Sequence, residues 1–414
     1  GIVGNAFVAP ELADGVLNTG DDAALSAAFA RGRVLEVPTL GQRLAASGKT
    51  YASLSAGTPG GGRLINWSAE ADGSMRLAMN APAACVPGDL FQACVDRVGP
   101  LPEYRLPGGK WIDWAVAAYL EVIAPSDPDV MLLWLCEPDE SFHWHGIGSP
   151  ESLQAIRAVD AAFGRVLEHH ADALKAREMQ VIAMSDHGQI SLEGARLELP
   201  ALLTEAGFPA SRSDSGADVQ VALANGGGLW LRDPSRTEEL VEWLLAQHWC
   251  GPVFTRDGVL GTLRQSEIML DHARAPDVSL ILRAREAAGP HGPPGLTMHD
   301  APYPEGGGCH GGLSRWELRN VLALGGGAFR SGAEIEVPAG NPDILPTVMT
   351  LLGLPVPDGI DGRPLVEALA GGPDPAAVAW HRRVIRSANT KGPVTALHIS
   401  EVGSHRYLDE AVVV

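Results

Sequence analysis

Between Asp129 and Gly188 the sequence reads as strand, polar loop, amphipathic helix, strand and polar loop, the order of a βαβ unit. Residues 130–136 (VMLLWLC) form an unbroken apolar run after Pro128, which predicts a short strand buried on both faces. Ser149-Pro150-Glu151 then offers an N-cap, a first-turn proline and a carboxylate at the positive end of a helix dipole. Leu153, Ile156, Val159, Phe163 and Val166 or Leu167 follow at spacings of three and four, so one apolar stripe is expected on a helix running to about Arg177. Residues 179–184 (MQVIAM) predict the next buried strand, ending in Ser185-Asp186-His187-Gly188. Parallel strands joined by a helix put both following loops at one edge of the sheet, where open α/β sheets bind ligands. Residues 137–146, read as a polar loop, and residues 185–188 are therefore expected to converge on one crevice.

The 414 residues suffice for one large α/β unit or for two domains. A helix is expected over 39–48, a strand over 50–55 and a glycine-rich loop over 55–62. From 191 to 300, helix patterns (200–207, 237–248) mix with strand patterns (219–222, 278–282) and interrupt the regular alternation. Residues 320–324 predict another core strand, and Asp343 caps a helix that Gly353 and Pro355 stop. The expected architecture is α/β, a largely parallel central sheet sandwiched by helices. Residues 1–190 and 301–380 would form the core, 191–300 an inserted cap, and 381–414 a C-terminal tail or edge element.

Fifty acidic against 31 basic side chains give a formal charge of −19. That argues against nucleic-acid binding, which needs a basic surface, and against docking on anionic membranes. No apolar run exceeds seven residues, so no spanning segment is expected. The five cysteines (Cys85, Cys94, Cys136, Cys250, Cys309) are odd in number and scattered, unlike a disulfide framework or a CxxC zinc site. Cys85 and Cys94 are a possible bridge in an oxidising compartment. The compartment stays open, with a soluble cytoplasmic protein slightly favoured over a periplasmic or secreted one.

Chemistry-bearing residues cluster in the loops after strands. Asp139 and His143 lie four apart, Asp186 and His187 are adjacent, and His310 sits in Gly306-Gly-Gly-Cys-His-Gly-Gly312. Carboxylates and imidazoles are the usual ligands of catalytic zinc and also suit manganese or iron. Singly, each has a plainer reading: His310 as a surface residue, Asp186-His187 as a cap or turn. Glu140 is a general-acid candidate or a solvated charge, and Trp144 a stacking platform or loop packing. His145 shares a face with His143 if the segment is extended, which also suggests an amidohydrolase barrel; that fold needs eight βα units, against about five or six strands here. Thr58 is a candidate phosphate contact or a turn residue, His299-Asp300 reads as loop, and Asp343 as a cap.

Glu137-Pro138-Asp139 with His143, Ser185-Asp-His-Gly188, His310 in its glycine loop, and 342–353 (PDILPTVMTLLG) occur in the order seen in the alkaline phosphatase superfamily. Gly1-Ile-Val-Gly-Asn5 resembles the HGIVxN segment of its nucleotide pyrophosphatase/phosphodiesterase branch. The resemblance implies an enzyme with two divalent metal ions, zinc above all. Asp139, His143 and His310 would hold one, Asp186 and His187 the other, and Asn5 would hydrogen-bond a phosphoryl oxygen. In that family a Thr or Ser attacks phosphorus in line, and the covalent intermediate is then hydrolysed. The family's nucleophile and a further Asp ligand belong upstream of the GIVGN segment, whereas Thr19 and Asp21 follow it. The chain is therefore expected to be an N-terminally truncated piece with little or no turnover, in preference to a degenerate, non-catalytic member.

The expected substrate is a small phosphoric ester, of the phosphodiester or nucleotide pyrophosphate type. Phosphomonoesters and phosphonoacetate are the alternatives. In phosphonoacetate hydrolases lysines grip the carboxylate; the matching stretch, 53–66, has none, and Arg63 is the one substitute.

Overall fold

A three-stranded parallel sheet has Tyr51–Ser55 at its centre, between Met75–Ala78 and Val130–Trp134, in the computed structural model, which describes residues 2–389 and 392–414. Gly1, the first residue of the GIVGN segment, lies outside the described residues. Tyr51–Ser55 is buried throughout. The Asp129 carboxylate accepts hydrogen bonds from the Thr50 amide and hydroxyl at 2.8 and 3.0 Å, which ties the start of this strand to the start of Val130–Trp134. Thr39 opens the Leu40–Ala46 helix through a reciprocal capping box with Gln42. The expected loop at 55–62 instead turns into the Pro59–Leu64 helix, and Thr58 spends its hydroxyl capping it at the Gly61 amide.

Gln180–Met184, the second strand of the predicted βαβ unit, pairs with Leu322–Gly326, and the pairing is antiparallel (Leu322 opposite Met184). Among the described residues no strand pairs with the other edge of Gln180–Met184 or with the outer edge of Val130–Trp134. Both strands are accordingly half-buried where full burial is expected.

The connecting helix, Pro150–His169, begins at the Ser149 cap as predicted, but it stops before His170 and a separate turn follows, Ala171–Lys175. It buries Ser152, Ala155 and Ala162, one step round from the predicted stripe. Ala162 packs on Ile112 and Val116 of the Gly109–Ala118 helix, a contact that small residues allow to be close. Leu153 and Ile156 stay 42% and 40% exposed, and Met184 and Val321, at the end of one strand and just before the other, are also uncovered.

Residues 191–300 build a six-stranded sheet with its own core. Leu199, Leu203, Phe208, Leu240, Leu244 and Trp249 pack on the strands Val219–Leu223, Gly226–Leu231, Cys250–Thr255 and Val278–Leu282. Residues 381–414 include a three-stranded antiparallel sheet, His381–Arg386, Thr395–Val402 and His405–Val413. Its Leu397, Ile399 and Ala411 cover Phe254 and Ile281 of the six-stranded sheet. All five cysteines are free, and no described helix is long and apolar enough to cross a membrane.

Candidate metal centre

Asp139, His143 and His310 bring a carboxylate oxygen and two imidazole nitrogens within 4.8 Å of one another. Asp139 Oδ2 lies 3.4 Å from His143 Nε2, and Asp139 Oδ1 lies 3.6 Å from His310 Nε2. Local structure explains the first pair. Residues 139–145, expected as loop, form a short helix, Asp139–His145, so side chains four apart stand one above the other. The buried Glu137 carboxylate makes that helix possible: it accepts the Ser141 amide at 3.1 Å and the Gly108 amide at 2.7 Å. On a helix His145 cannot share a face with His143; its Nε2 is buried and has no hydrogen-bond partner among the described residues.

Sheet register brings in His310. Gly308–Cys309 pairs antiparallel with Ile190–Leu192, Cys309 opposite Ile190, and the strand is followed at once by His310 just as Ile190 is preceded by the Asp186–Gly188 loop. The His143 Nδ1–H donates to the Gly308 carbonyl at 2.8 Å, which directs Nε2 toward Asp139. A side chain at Gly308 would put its Cβ 2.2 Å from Gln189 Oε1 and 3.1 Å from the Phe142 carbonyl oxygen, so it would displace the Gln189 amide that meets Asp139. His187 stacks on His310 with ring centroids 3.6 Å apart, and Asp186 Oδ2 is 3.4 Å from His187 Nε2. Asn341 and Asn320 hold the backbone of this second pair, donating to the Asp186 and Ser185 carbonyls at 2.6 and 2.8 Å.

The five predicted ligands therefore gather as one triad with the second pair against it. Asn5 is exposed, and its carbonyl accepts the Thr19 amide and hydroxyl at 2.8 and 2.9 Å. Two residues near the triad escaped sequence reasoning. Gln189 donates from Nε2 to Asp139 Oδ1, and the Tyr303 ring stacks on His143 at 4.0 Å. Gln189 directly follows the Asp-His-Gly run, which was the one available hint; Tyr303 had none. Trp144 stands edge-on to Tyr303 and is 47% exposed.

One carboxylate and two imidazoles leaving an open position suit catalytic zinc. Protonation points the same way. Burial, aided by the neighbouring His187, pulls the His310 imidazole down to about 4, so it is neutral and ready to coordinate at ordinary pH. Burial opposes charge on His143 too, but the hydrogen bond and charge of Asp139 outweigh it and raise His143 above its ordinary range. The same partnership holds Asp139 below the ordinary carboxylate range against the effect of burial. Burial pushes the Cys309 thiol up to about 12, so it is no thiolate ligand. A coordinating His143 must lose its proton. Between about pH 5 and the ordinary imidazole value of 6.5, apparent zinc affinity is expected to fall about tenfold per unit of acidification. Chelator competition across that window checks it; a flat profile contradicts it.

The sequence profile of the type I phosphodiesterase / nucleotide pyrophosphatase family matches residues 1–246. The chain belongs to this family. Type I phosphodiesterases and nucleotide pyrophosphatases are a branch of the alkaline phosphatase superfamily, and the α/β fold agrees. The chain is 24% identical over 255 residues to human ectonucleotide pyrophosphatase/phosphodiesterase family member 7, covering 61% of this chain and 50% of that protein. It thus spans about half the length of the curated relative it matches. Murine ectonucleotide pyrophosphatase/phosphodiesterase 5 superposes with a TM-score of 0.56 at 16% identity, over 86% of this chain and 80% of that one. Phosphonoacetate hydrolase from Sinorhizobium meliloti superposes with a TM-score of 0.52 at 17% identity, over 78% and 73%. At these identities the likeness is one of fold.

Proposed function

We propose that the protein is a metal-dependent hydrolase of phosphoric esters, acting on phosphodiesters or nucleotide pyrophosphates. The observation that carries this reading is the Asp139–His143–His310 triad with His187 stacked on it. The triad would hold one zinc ion, and Asp186 with His187 a second. Bound zinc at such a site supplies Lewis acidity toward phosphoryl oxygens. The chain's own residues do the rest: Gln189 and His143 orient the Asp139 carboxylate, the Gly308 carbonyl fixes the His143 tautomer, and Asn5 binds a phosphoryl oxygen. In this reading 1–190 and 301–380 form the catalytic core and 191–300 a cap. The same reading puts the attacking Thr or Ser ahead of Gly1, on a further strand between Val130–Trp134 and Gln180–Met184; the edges of those two strands that are unpaired among the described residues support that placement.

The diester reading is preferred to phosphonoacetate hydrolysis on one observation. Arg63, the substitute for the carboxylate-gripping lysines, is already engaged by Asp22 and Glu70. The test uses the protein as its gene encodes it. Bis(p-nitrophenyl) phosphate is expected to be hydrolysed at least about tenfold faster than p-nitrophenyl phosphate, with activity lost to EDTA and restored by zinc. Zinc binding without hydrolysis of either ester overturns the proposal. Residues 1–414 alone are expected to bind about one zinc per chain, because the triad has its full protein ligand set; elemental analysis decides this.

A further inference from the structure

Glu317 is almost fully buried and contacts the turns that follow His310 and Asp186-His187. Its carboxylate is surrounded by donors from three directions. Oε1 accepts the Gly312 amide at 2.7 Å and the Asn225 side-chain amide at 2.6 Å; Oε2 accepts the Ser314 hydroxyl at 2.6 Å and the Ser314 amide at 3.2 Å. Its backbone carbonyl accepts the Gly188 amide at 2.8 Å. One residue thus grips the turn directly after His310 with its side chain and the turn directly after Asp186-His187 with its main chain. Asn225 adds the six-stranded sheet, whose turn comes so close that a Cβ on Gly226 would lie 2.2 Å from the Gly311 carbonyl. The fit around the carboxylate is equally tight: a Cβ on Gly312 would lie 2.8 Å from both of its oxygens.

A charged group is costly to bury unless hydrogen bonds replace its water. The Glu317 carboxylate accepts the Ser314 amide at the start of the four-residue helix Arg315–Leu318, half of a capping box, and such a contact occurs routinely at exposed helix starts. Capping alone needs neither the burial nor the Asn225 and Gly312 donors. We infer that Glu317 is a positioning residue. It sets His310 against His187 and thereby the spacing of the two ligand groups, and through Asn225 it makes that spacing depend on the inserted sheet. This rests on the metal-site reading for its functional meaning, while the restraint on the two turns stands without it.

The test compares Glu317→Gln, Glu317→Ala and Asn225→Ala with Leu240→Ala. The last lies in the core of the six-stranded sheet and serves as a destabilised control. Gln keeps the shape but turns donors toward donors. Zinc affinity is expected to fall about 10- to 100-fold in both Glu317 variants and less in Asn225→Ala. The visible spectrum of the cobalt-substituted protein should shift in the Glu317 variants, while Leu240→Ala lowers Tm but leaves affinity and spectrum unchanged. In the metal-free protein, amide exchange at Gly188 and Gly312 should accelerate at least about tenfold in Glu317→Ala and not in Leu240→Ala. Wild-type exchange at both amides in Glu317→Ala overturns the inference whatever the metal data show. So does a Glu317→Gln protein with wild-type zinc affinity and cobalt spectrum. A wild-type protein that binds no zinc, yet shows the exchange effect, fails the metal-site reading alone.

Discussion

Asp139→Asn is expected to lower zinc affinity about 10²- to 10³-fold and to abolish ester hydrolysis by the protein as its gene encodes it. A four-ligand zinc site is worth about 10–16 kcal/mol, or about 2.5–4 kcal/mol per ligand, and each 1.4 kcal/mol is tenfold. Asp139 should lie at the top of that range, because it faces both imidazoles of the triad. Its two oxygens face His143 and His310 at 3.4 and 3.6 Å, and Gln189 donates to it as well. Asn keeps the shape and removes the charge. Its amide nitrogen has no lone pair for a metal, and His143 loses the partner that raises its pKa. The pH dependence of any residual zinc binding should then move to lower pH, since a less basic His143 gives up its proton earlier. Asp113→Asn, at an exposed pair with Arg165, controls for the loss of one negative charge and should bind zinc as wild type does. Calorimetric titration of the purified variants reads both. Undiminished affinity in Asp139→Asn would place the metal elsewhere.

The elements legible in the sequence were those whose signal is local. The Ser149-Pro150-Glu151 start, the Thr39 cap and the apolar runs that became Val130–Trp134 and Gln180–Met184 each depend on neighbours within a few residues. What was illegible depended on contacts far along the chain. The Asp139–His145 helix is stabilised by Glu137, whose other partner is the Gly108 amide, 29 residues away. The antiparallel run of Leu322–Gly326 is a pairing choice that its composition does not encode. The face of Pro150–His169 that packs is set by the fit of Ala162 on Ile112 and Val116, so the more apolar Leu153 and Ile156 were a misleading guide. The site divides in the same way. Its ligand types and their loops were visible as Asp and His after strands, but the residues that aim them find their partners far along the chain: Gln189 meets Asp139, 50 residues away, and Glu317 meets Asn225, 92 away.

Asp343→Ala is expected to cost about 3–5 kcal/mol of stability and to release Asp186 as well. The sequence marks Asp343 as a cap; it stands at the N-cap position of Ile344–Leu351, but its carboxylate makes no capping hydrogen bond to that helix and holds groups outside it instead. The residue is fully buried. Its carboxylate accepts the Gly340 amide at 2.9 Å, the Arg363 amide at 2.7 Å and the Tyr407 hydroxyl at 3.0 Å. Alanine leaves three donors without an acceptor, the Arg363 amide buried and the Gly340 amide and Tyr407 hydroxyl partly so; each orphaned group costs about 1–3 kcal/mol when buried and less when water reaches it, and the costs are less than additive. Tyr407 belongs to the last strand, so the loss also detaches the C-terminal sheet from the turn that opens the Ile344–Leu351 helix. That turn carries Asn341, which donates to the Asp186 carbonyl at 2.6 Å and accepts from Asn320 at 2.7 Å. Loosening it should free the Asp186-His187 pair while the Asp139–His143–His310 triad stays formed. Asn341→Ala separates the two effects: it should accelerate amide exchange around Asp186 while leaving the denaturation midpoint within about 1 kcal/mol of wild type, since it removes contacts at a partly exposed site. Chemical denaturation and amide exchange on both variants decide the matter. Wild-type stability in Asp343→Ala would mean that the three donors find other partners. Exchange at Asp186 unchanged in both variants would mean that the Asn341 contact does not hold the second ligand pair in place.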